Sequence, residues 1–448
     1  MASEYKTPAD FTEPQVTWKE EKVSETLKDH FPDKHSDLPS PGSHREFPEG
    51  GLAAWATAFG SFLVQICTLG YCTSFGVYQD FYTRHYLTNE TSSVISWIGS
   101  VNSFLVCSVG IVSGSLYDRG YFYHLVIAGS LLQSLSLFML SLAKPNQYCQ
   151  ILIAQGLCSG VAAGLLYVPS VAVISHHFRL KRTLVMTFVA SGSSLGSVIF
   201  PIMLNNLLNG PVGFSNGVRA SAGLVSGLLL IACLCMRTRL DPPTTPVNYV
   251  AAARRCICHP PFVFLMAGSF LFQISFYYPM VFLQLDSVKH GVNVTFSFYS
   301  LVILNSSNFV GRITSGYIAV FTGVINLTIA ATISCGVVIF GMIGLSSLAS
   351  VVVLGVVYGY FAGVYAAMVV PLTATLTLDF SELGARMGIF FFVSGSRYLG
   401  TPISGALLTS NYTWWVPAAF CGIVALAGSV MYVAMRFMFV RSRIEEKV

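Results

Sequence analysis

From Leu52 onward the chain alternates long apolar runs with short polar breaks. Each run is about 20 residues, the length at which a helix crosses a bilayer. Twelve runs can be delimited: Leu52 to Tyr78, Val94 to Tyr117, His124 to Ala143, Ile151 to Ile174, Thr183 to Leu207, Ala220 to Cys235, Phe262 to Leu285, Phe298 to Val320, Ile325 to Leu345, Val351 to Thr373, Met387 to Leu408 and Pro417 to Met438. They lack the alternation of a barrel strand and are twice its length, and lipid leaves the backbone only intrahelical partners, so they predict helices. The expected class is all-α, a polytopic membrane protein of twelve transmembrane helices in two six-helix pseudo-repeat bundles.

The polar segments set the organisation. Residues 1–48 hold 6 of the 25 Lys/Arg and 10 of the 20 Asp/Glu, with Pro, Ser and His among them, which predicts a disordered cytoplasmic tail. No positive region followed by an apolar one precedes Leu52, so the first span itself directs insertion. The longest internal polar stretch, Arg237 to His259, divides the spans six and six. The expected units are the tail 1–48, an N-terminal bundle 49–236, a cytoplasmic linker 237–259, a C-terminal bundle 260–438 and a cytoplasmic tail 439–448.

Composition supports the same class. Of 448 residues 54% are hydrophobic and 10% charged, with mean hydropathy +0.65, too little charge for a soluble domain. A net charge of +5 spread thinly argues against nucleic acid as a partner, and the 11 cysteines fall mostly inside apolar runs without framework spacing. No nucleotide-binding loop is present, no catalytic constellation or cofactor site emerges, and the chain reads as a non-enzyme.

Basic residues orient the spans. With both termini cytoplasmic, inside segments beyond the first tail hold 13 Lys/Arg, among them Arg179, Lys181, Arg182, Arg436, Arg441, Arg443 and Lys447; outside loops hold four, Arg84, Lys144, Arg219 and Lys289. Asn89-Glu90-Thr91, Asn293-Val294-Thr295 and Asn411-Tyr412-Thr413 all fall in outside loops as glycosylation candidates, whereas Asn326-Leu327-Thr328 falls inside. The expected location is the plasma membrane, with the vacuolar membrane as the alternative.

The two halves repeat. Gly156, Gly160 and Gly164 in the fourth span recur as Gly355, Gly359 and Gly363 in the tenth; Gly192, Gly196 and Pro201 in the fifth are echoed by Gly395, Gly400 and Pro402 in the eleventh. Any one stripe reads as tight helix packing. Their recurrence at the same rank predicts parallel halves with a site between them at the midplane, the plan of a rocking transporter.

Gly114-Ser115-Leu116-Tyr117-Asp118-Arg119-Gly120, after the second span, resembles the loop motif of the major facilitator superfamily, although Tyr121-Phe122-Tyr123-His124 stand where basic residues usually follow. The resemblance implies a conformational latch made by Gly114, Asp118 and Arg119. In the second half Gly316 matches the glycine and Val320 replaces the acid. Within that superfamily Glu49-Gly50-Gly51 with Trp55, Gly311-Arg312, and Gly400-Thr401-Pro402-Ile403-Ser404-Gly405-Ala406-Leu407 resemble the monocarboxylate transporter family in its fungal branch, over about residues 47 to 438. The resemblance makes Arg312 the substrate-anion arginine. Two coupling groups of animal members are absent: Thr73 and Ser74 lie nearest the lysine position of span one, and Asn308 stands one turn before Arg312 in place of aspartate.

The central portions of the spans carry no Asp, Glu, Lys or His, leaving Arg312 and Arg397 as intramembrane cations. Such a cation costs roughly 2.5 to 3.5 kcal/mol on insertion scales and is functional by default; the competing reading is snorkelling or packing. A planar guanidinium matches a carboxylate, so the expected passenger is a small organic anion. Asn305 and Asn308 share the face of Arg312, and Gln273, Tyr277, Tyr278, Tyr71 and Tyr167 line the path or else pack the helices. Without an intramembrane carboxylate or histidine, transport is facilitated exchange or carries a proton with the substrate. Cys256-Ile257-Cys258-His259 resembles half a zinc site without its second pair; reversible acylation is the other use, and no metal is expected. The leading expectation is a monocarboxylate-like carrier working by alternating access in the lipid bilayer. Its alternatives are an exporter of a fungal secondary metabolite or a riboflavin carrier on the same fold and, from another class, a non-transporting nutrient sensor. Peptide-N-glycosidase treatment of membranes from a eukaryotic host should shift the chain's mobility, and Asn89→Gln should remove part of the shift; a shift removed by Asn326→Gln instead would reverse the orientation.

Overall fold

The computed structural model describes residues 50–239, 249–289, 294–345, 347–377, 382–395, 403–404, 406–408 and 414–445, and every regular element among them is helical. Ranked as the predicted spans are, the helices are α1 (Leu52–Tyr86), α2 (Ser92–Asp118), α3 (Phe122–Ser141), α4 (Tyr148–His176), α5 (Arg182–Asn209) and α6 (Gly213–Cys235). The second half holds α7 (Pro260–Phe276 continued by Tyr278–Lys289), α8 (Val294–Thr322), α9 (Val324–Gly344), α10 (Leu348–Thr375), α11 (Leu383–Ser394) and α12 (Trp415–Glu445).

Ten of the twelve are long and apolar enough to cross a membrane. The exceptions are α8 and α11. α8 has 29 residues, but Asn305, Asn308, Arg312 and several serines dilute its hydropathy; α11 is described for only 12 residues, to Ser394. The tail 1–48 lies outside the described residues, as do Arg397, Asn293 and Asn411.

Helices also outrun the apolar runs that predicted them. α1 continues past Tyr78 to Tyr86 because Tyr78 and Tyr82 extend its buried face, and α12 reaches Glu445 where a tail from residue 439 was expected. Hydropathy stops near the membrane edge, whereas the backbone bonding of a helix does not. The linker contains a helix of its own, Tyr249–Cys258.

The two halves pack alike. In each, the fourth helix lies on the second: α4 on α2, and α10 on α8. The repeated glycines are the reason. A Cβ on Gly160 would stand 3.0 Å from Asn102 Cα, one on Gly164 2.7 Å from Val109 Cβ, one on Gly359 3.1 Å from Ser307 Cβ, and one on Gly363 2.9 Å from Asn308 Cα. Small residues let the backbones close in, which is how helices associate where lipid removes the hydrophobic drive. α3 packs on α4 and α6, and α9 on α10 and α12, again in parallel. The halves meet mainly through α2 with α11 and α5 with α8, with smaller contacts of α5 with α10 and α4 with α11.

The first helix of each half is interrupted. α1 passes from Leu52–Gln65 through a π turn, Ile66–Gly70, and resumes regular α geometry at Phe75; α7 breaks at Tyr277, where the Tyr358 hydroxyl donates to Phe276 O at 2.6 Å. A broken helix leaves carbonyls to be satisfied from the side, and this tyrosine does so. Gly363→Ala should lower the midpoint of thermal unfolding in detergent by the equivalent of about 1–3 kcal/mol, since its methyl meets backbone. Gly223→Ala, whose Cβ meets nothing within 4 Å, is the matched control and should leave the midpoint in place.

Candidate functional site

Helix periodicity builds the seam between α5 and α8. On α5, Gly192 and Gly196 face α1: a Cβ on Gly192 would lie 3.2 Å from Gln65 Cβ and one on Gly196 2.8 Å from Gly70 Cα. The face bearing Ala190, Ser193 and Ser194 turns to α8, where Asn308 and Arg312 are one turn apart. Arg312 Nε donates to Asn308 Oδ1 at 2.9 Å, and its Nη1 donates to Ala190 O at 2.8 Å and Ser193 Oγ at 2.6 Å. Ser194 Oγ donates to the same Asn308 oxygen at 2.6 Å.

These three acceptors are neutral oxygens, which meet the guanidinium with dipoles and not with charge. Arg312 is half-buried, whereas Asn308 is 2% exposed, fixed from behind by Gly363, and its Nδ2 has no hydrogen-bond partner. A buried amide nitrogen without an acceptor costs roughly 1–3 kcal/mol, which makes it a donor in waiting.

The other predicted residues divide. Tyr167 of α4 meets Phe391 of α11 edge-to-face at 4.6 Å, so it stands between the halves. Tyr71 belongs to the interior of the first half: its hydroxyl pairs with Tyr78 at 2.6 Å and Ser221 at 3.2 Å, and its ring lies against Phe200. It also lines a cavity of about 20 Å³ with Cys72, Asn102 and Gln155, room for one water. Asn305 turns its amide back to Leu301 O at 3.0 Å, away from Arg312. Gln273 and Tyr278 are buried, and neither Gln273 Oε1 nor the Tyr278 hydroxyl has a hydrogen-bond partner; Tyr277 is half-buried at the α7 break.

At the other end of the halves' contact, Asp118 closes α2 onto α11. Its Oδ1 accepts from Gly384 N at 3.0 Å and its Oδ2 from Ala385 N at 2.8 Å, a carboxylate at a helix N-terminus where the dipole favours it. The approach requires glycine on both sides, since a Cβ on Gly384 would stand 2.5 Å from Gly114 O. Arg119 is exposed. The corresponding Val320 is 69% exposed at the end of α8, so this half has no such cap there.

Sequence reading missed the charges that flank this cap. Glu382 pairs with Arg255 of the linker helix and lies 3.7 Å from Arg386 Nε, while Arg386 donates to Leu376 O at 3.2 Å and sits 5.5 Å from the centre of the Phe262 ring. Both Glu382 and Arg386 are buried. Both stand just before the apolar run that starts at Met387, and their opposite charges at i, i+4 are the signal that the sequence carries. The serines of α5 were visible as the run Ser191-Gly192-Ser193-Ser194, but only the glycine was used.

Cys256 is 1% exposed, and burial pushes its thiol up from its ordinary value, which disfavours the thiolate that acylation needs; Cys258 is exposed. Among the described residues no group of three His, Cys, Asp or Glu is placed to hold a metal ion.

The Major Facilitator Superfamily model matches residues 51–396. The aspyridones efflux protein of Emericella nidulans is 33% identical over 386 residues, covering 86% of this chain and 78% of its own length. The fujikurins efflux protein of Gibberella fujikuroi is 34% identical over 411 residues, with 89% and 85% covered. The agnestins efflux protein of Paecilomyces divaricatus is 34% identical over 378 residues, with 84% and 86% covered. Among solved structures, the E. coli fucose:proton symporter superposes with a TM-score of 0.67 at 15% identity, covering 86% of this chain and 98% of that one. These names match the metabolite-exporter alternative and do not single out monocarboxylate transporters. Asp118→Ala should cost about 0.5–2 kcal/mol of cap energy, lowering the unfolding midpoint, and Asp118→Asn should recover part of it; equal midpoints for all three proteins would remove the cap's role.

Proposed function

We propose that this chain, which belongs to the major facilitator superfamily, exports a small acidic organic molecule across its membrane by alternating access, with Arg312 holding the acidic group. The observation that carries the reading is the half-buried Arg312 guanidinium at the seam between the halves, donating to three neutral oxygens. A carboxylate or ionised enol is a stronger partner for that cation than any of the three. The efflux names of the relatives support an outward direction and a metabolite cargo, and the monocarboxylate reading yields to them.

Asn308 supplies a second donor. Gln273 and Tyr278 bring polar groups whose partners the cargo supplies, Tyr277 and Tyr167 bring aromatic surface, and Arg397 and Asn305 complete the proposed set. A largely apolar acid suits this environment, because its body is solvated by helix surface while one anionic group is met by one cation. The basic-residue count supports cytoplasmic termini, and the plasma membrane is the membrane proposed, with the vacuolar membrane as the alternative. Cargo then leaves the cell as the halves rock about the α2–α11 and α5–α8 seams, and the two bundles, 49–236 and 260–438, are the rocking bodies.

The test uses inverted plasma-membrane vesicles from yeast producing the full chain. Radiolabelled aromatic and aliphatic acids are compared with uncharged amides of the same size. Uptake should be saturable for at least one acid and absent for its amide. Arg312→Ala, shown folded by an unchanged gel-filtration profile, should lose at least about tenfold, the scale of a charge-assisted hydrogen bond. Full transport by that variant, or equal transport of amides, would sink the assignment.

A further inference from the structure

The geometry points to a competition at the α5–α8 seam: Ala190 O, Ser193 and Ser194 occupy the Arg312–Asn308 pair in place of the anion, so anion binding and release of α5 from α8 are one event. This rests on the reading of Arg312 as the anion's partner and adds what that partner does when no anion is bound.

Three observations support it. Arg312 reaches out of its own helix to the other half: Nη1 donates to Ala190 O at 2.8 Å and to Ser193 Oγ at 2.6 Å. Its neighbour Asn308 is engaged by the same helix, since Ser194 Oγ donates to Asn308 Oδ1 at 2.6 Å, and that oxygen also accepts from Arg312 Nε at 2.9 Å. Helix α5 therefore holds both members of the pair. Finally, Asn308 Nδ2 is buried without an acceptor, so the clasp leaves a donor unsatisfied. A carboxylate has two oxygens and about four acceptor sites. One oxygen takes the guanidinium and the other takes Asn308 Nδ2, which the α5 side does not supply.

The energetics favour exchange over simple addition. Serine and carbonyl oxygens offer dipoles, whereas an anion offers a full charge in a medium of low dielectric. An anion shifts the equilibrium only as far as it binds the unclasped seam better than the clasped one, and the two sets of oxygens compete for the same donors. Among the described residues, the matching position of the α2–α11 seam carries glycine instead. The register that aligns Gly114 with Gly316 sets Gly110 opposite Arg312, and Gly110 packs against Gly388, with 2.7 Å between a Cβ built there and Gly110 O. One seam is glycine on glycine; the other carries the exchangeable polar clasp.

Hydrogen–deuterium exchange of the full chain in lipid nanodiscs reads the clasp without cargo. Without ligand, Ser193→Ala/Ser194→Ala and Arg312→Gln should each speed exchange at least about fivefold in peptides covering 185–197 and 305–316, with α3 and α6 peptides unchanged as the measure of intact folding. Millimolar benzoate should speed the same peptides in the wild-type protein, its amide should not, and benzoate should do nothing to Arg312→Gln. In vesicles the double serine variant should bind a carried acid several-fold more tightly, because a competitor has gone. If the serine variant exchanges like wild type, or binds the acid more weakly, the competition is overturned even where Arg312→Ala abolishes transport. A benzoate effect that survives in Arg312→Gln overturns the anion's part in it. Full transport by Arg312→Ala sinks the function while leaving the serine result to stand on its own.

Discussion

A guanidinium cannot sit between helices in a membrane without oxygens to receive its five donors, and much of the second half's arrangement follows from meeting that need. Arg312 is met by Asn308 from its own helix and by Ala190 and Ser193 from the opposite half. For those oxygens to be in reach, α5 has to come close to α8, and α8 has to be held still by α10. Gly316 against Leu184 and Thr187 permits the first, and Gly359 and Gly363 permit the second. The glycines and the arginine are thus one design: small residues bring backbones close enough for a cation to be solvated by the protein instead of by water.

Much of this was legible in the sequence because it is periodic. Helices write themselves as apolar runs, close packing writes itself as glycine every fourth residue, and Asn308 at i−4 from Arg312 shares its face by arithmetic alone. The glycine stripes of α4 and α10 meet α2 and α8 as the repeat implied. What stayed hidden depends on contacts between distant parts of the chain. Ser193 and Ser194 are ordinary small polar residues until α8 is laid against them, and nothing local marks them as partners of a cation. Glu382 and Arg386 were hidden by a boundary: a charged pair at a helix start reads as loop when the helix is located by hydropathy. Asn305 shows the limit of periodicity, since it lies near the right face yet bonds its own backbone.

The same reasoning explains why α8 fails the apolarity that the other long helices meet. A helix that must present Asn305, Asn308 and Arg312 inward cannot also be uniformly oily, and it is kept in place by neighbours instead of by lipid alone. Such helices are expected next to a polar path, where hydropathy understates the span and overstates the loop. The interruptions in α1 and α7 belong to the same class. Each frees backbone groups in the first helix of a half, and in α7 the side chain of Tyr358 repairs what the break exposes.

The two seams between the halves are therefore unlike in kind. At α2–α11 the contact is glycine against glycine, ended by Asp118 on the first amides of α11, an arrangement whose partners are all within the chain. At α5–α8 the contact is polar, its acceptors are neutral, and one amide nitrogen is left over. The Asp118 carboxylate is already met by two backbone amides, so a solute offers that contact no better partner. A seam that holds a cation by dipoles and leaves a donor unused is biased toward any anion that can enter. Under the proposed alternating access, cargo changes one contact and leaves another in place, and the α5–α8 and α2–α11 seams are suited to those two parts.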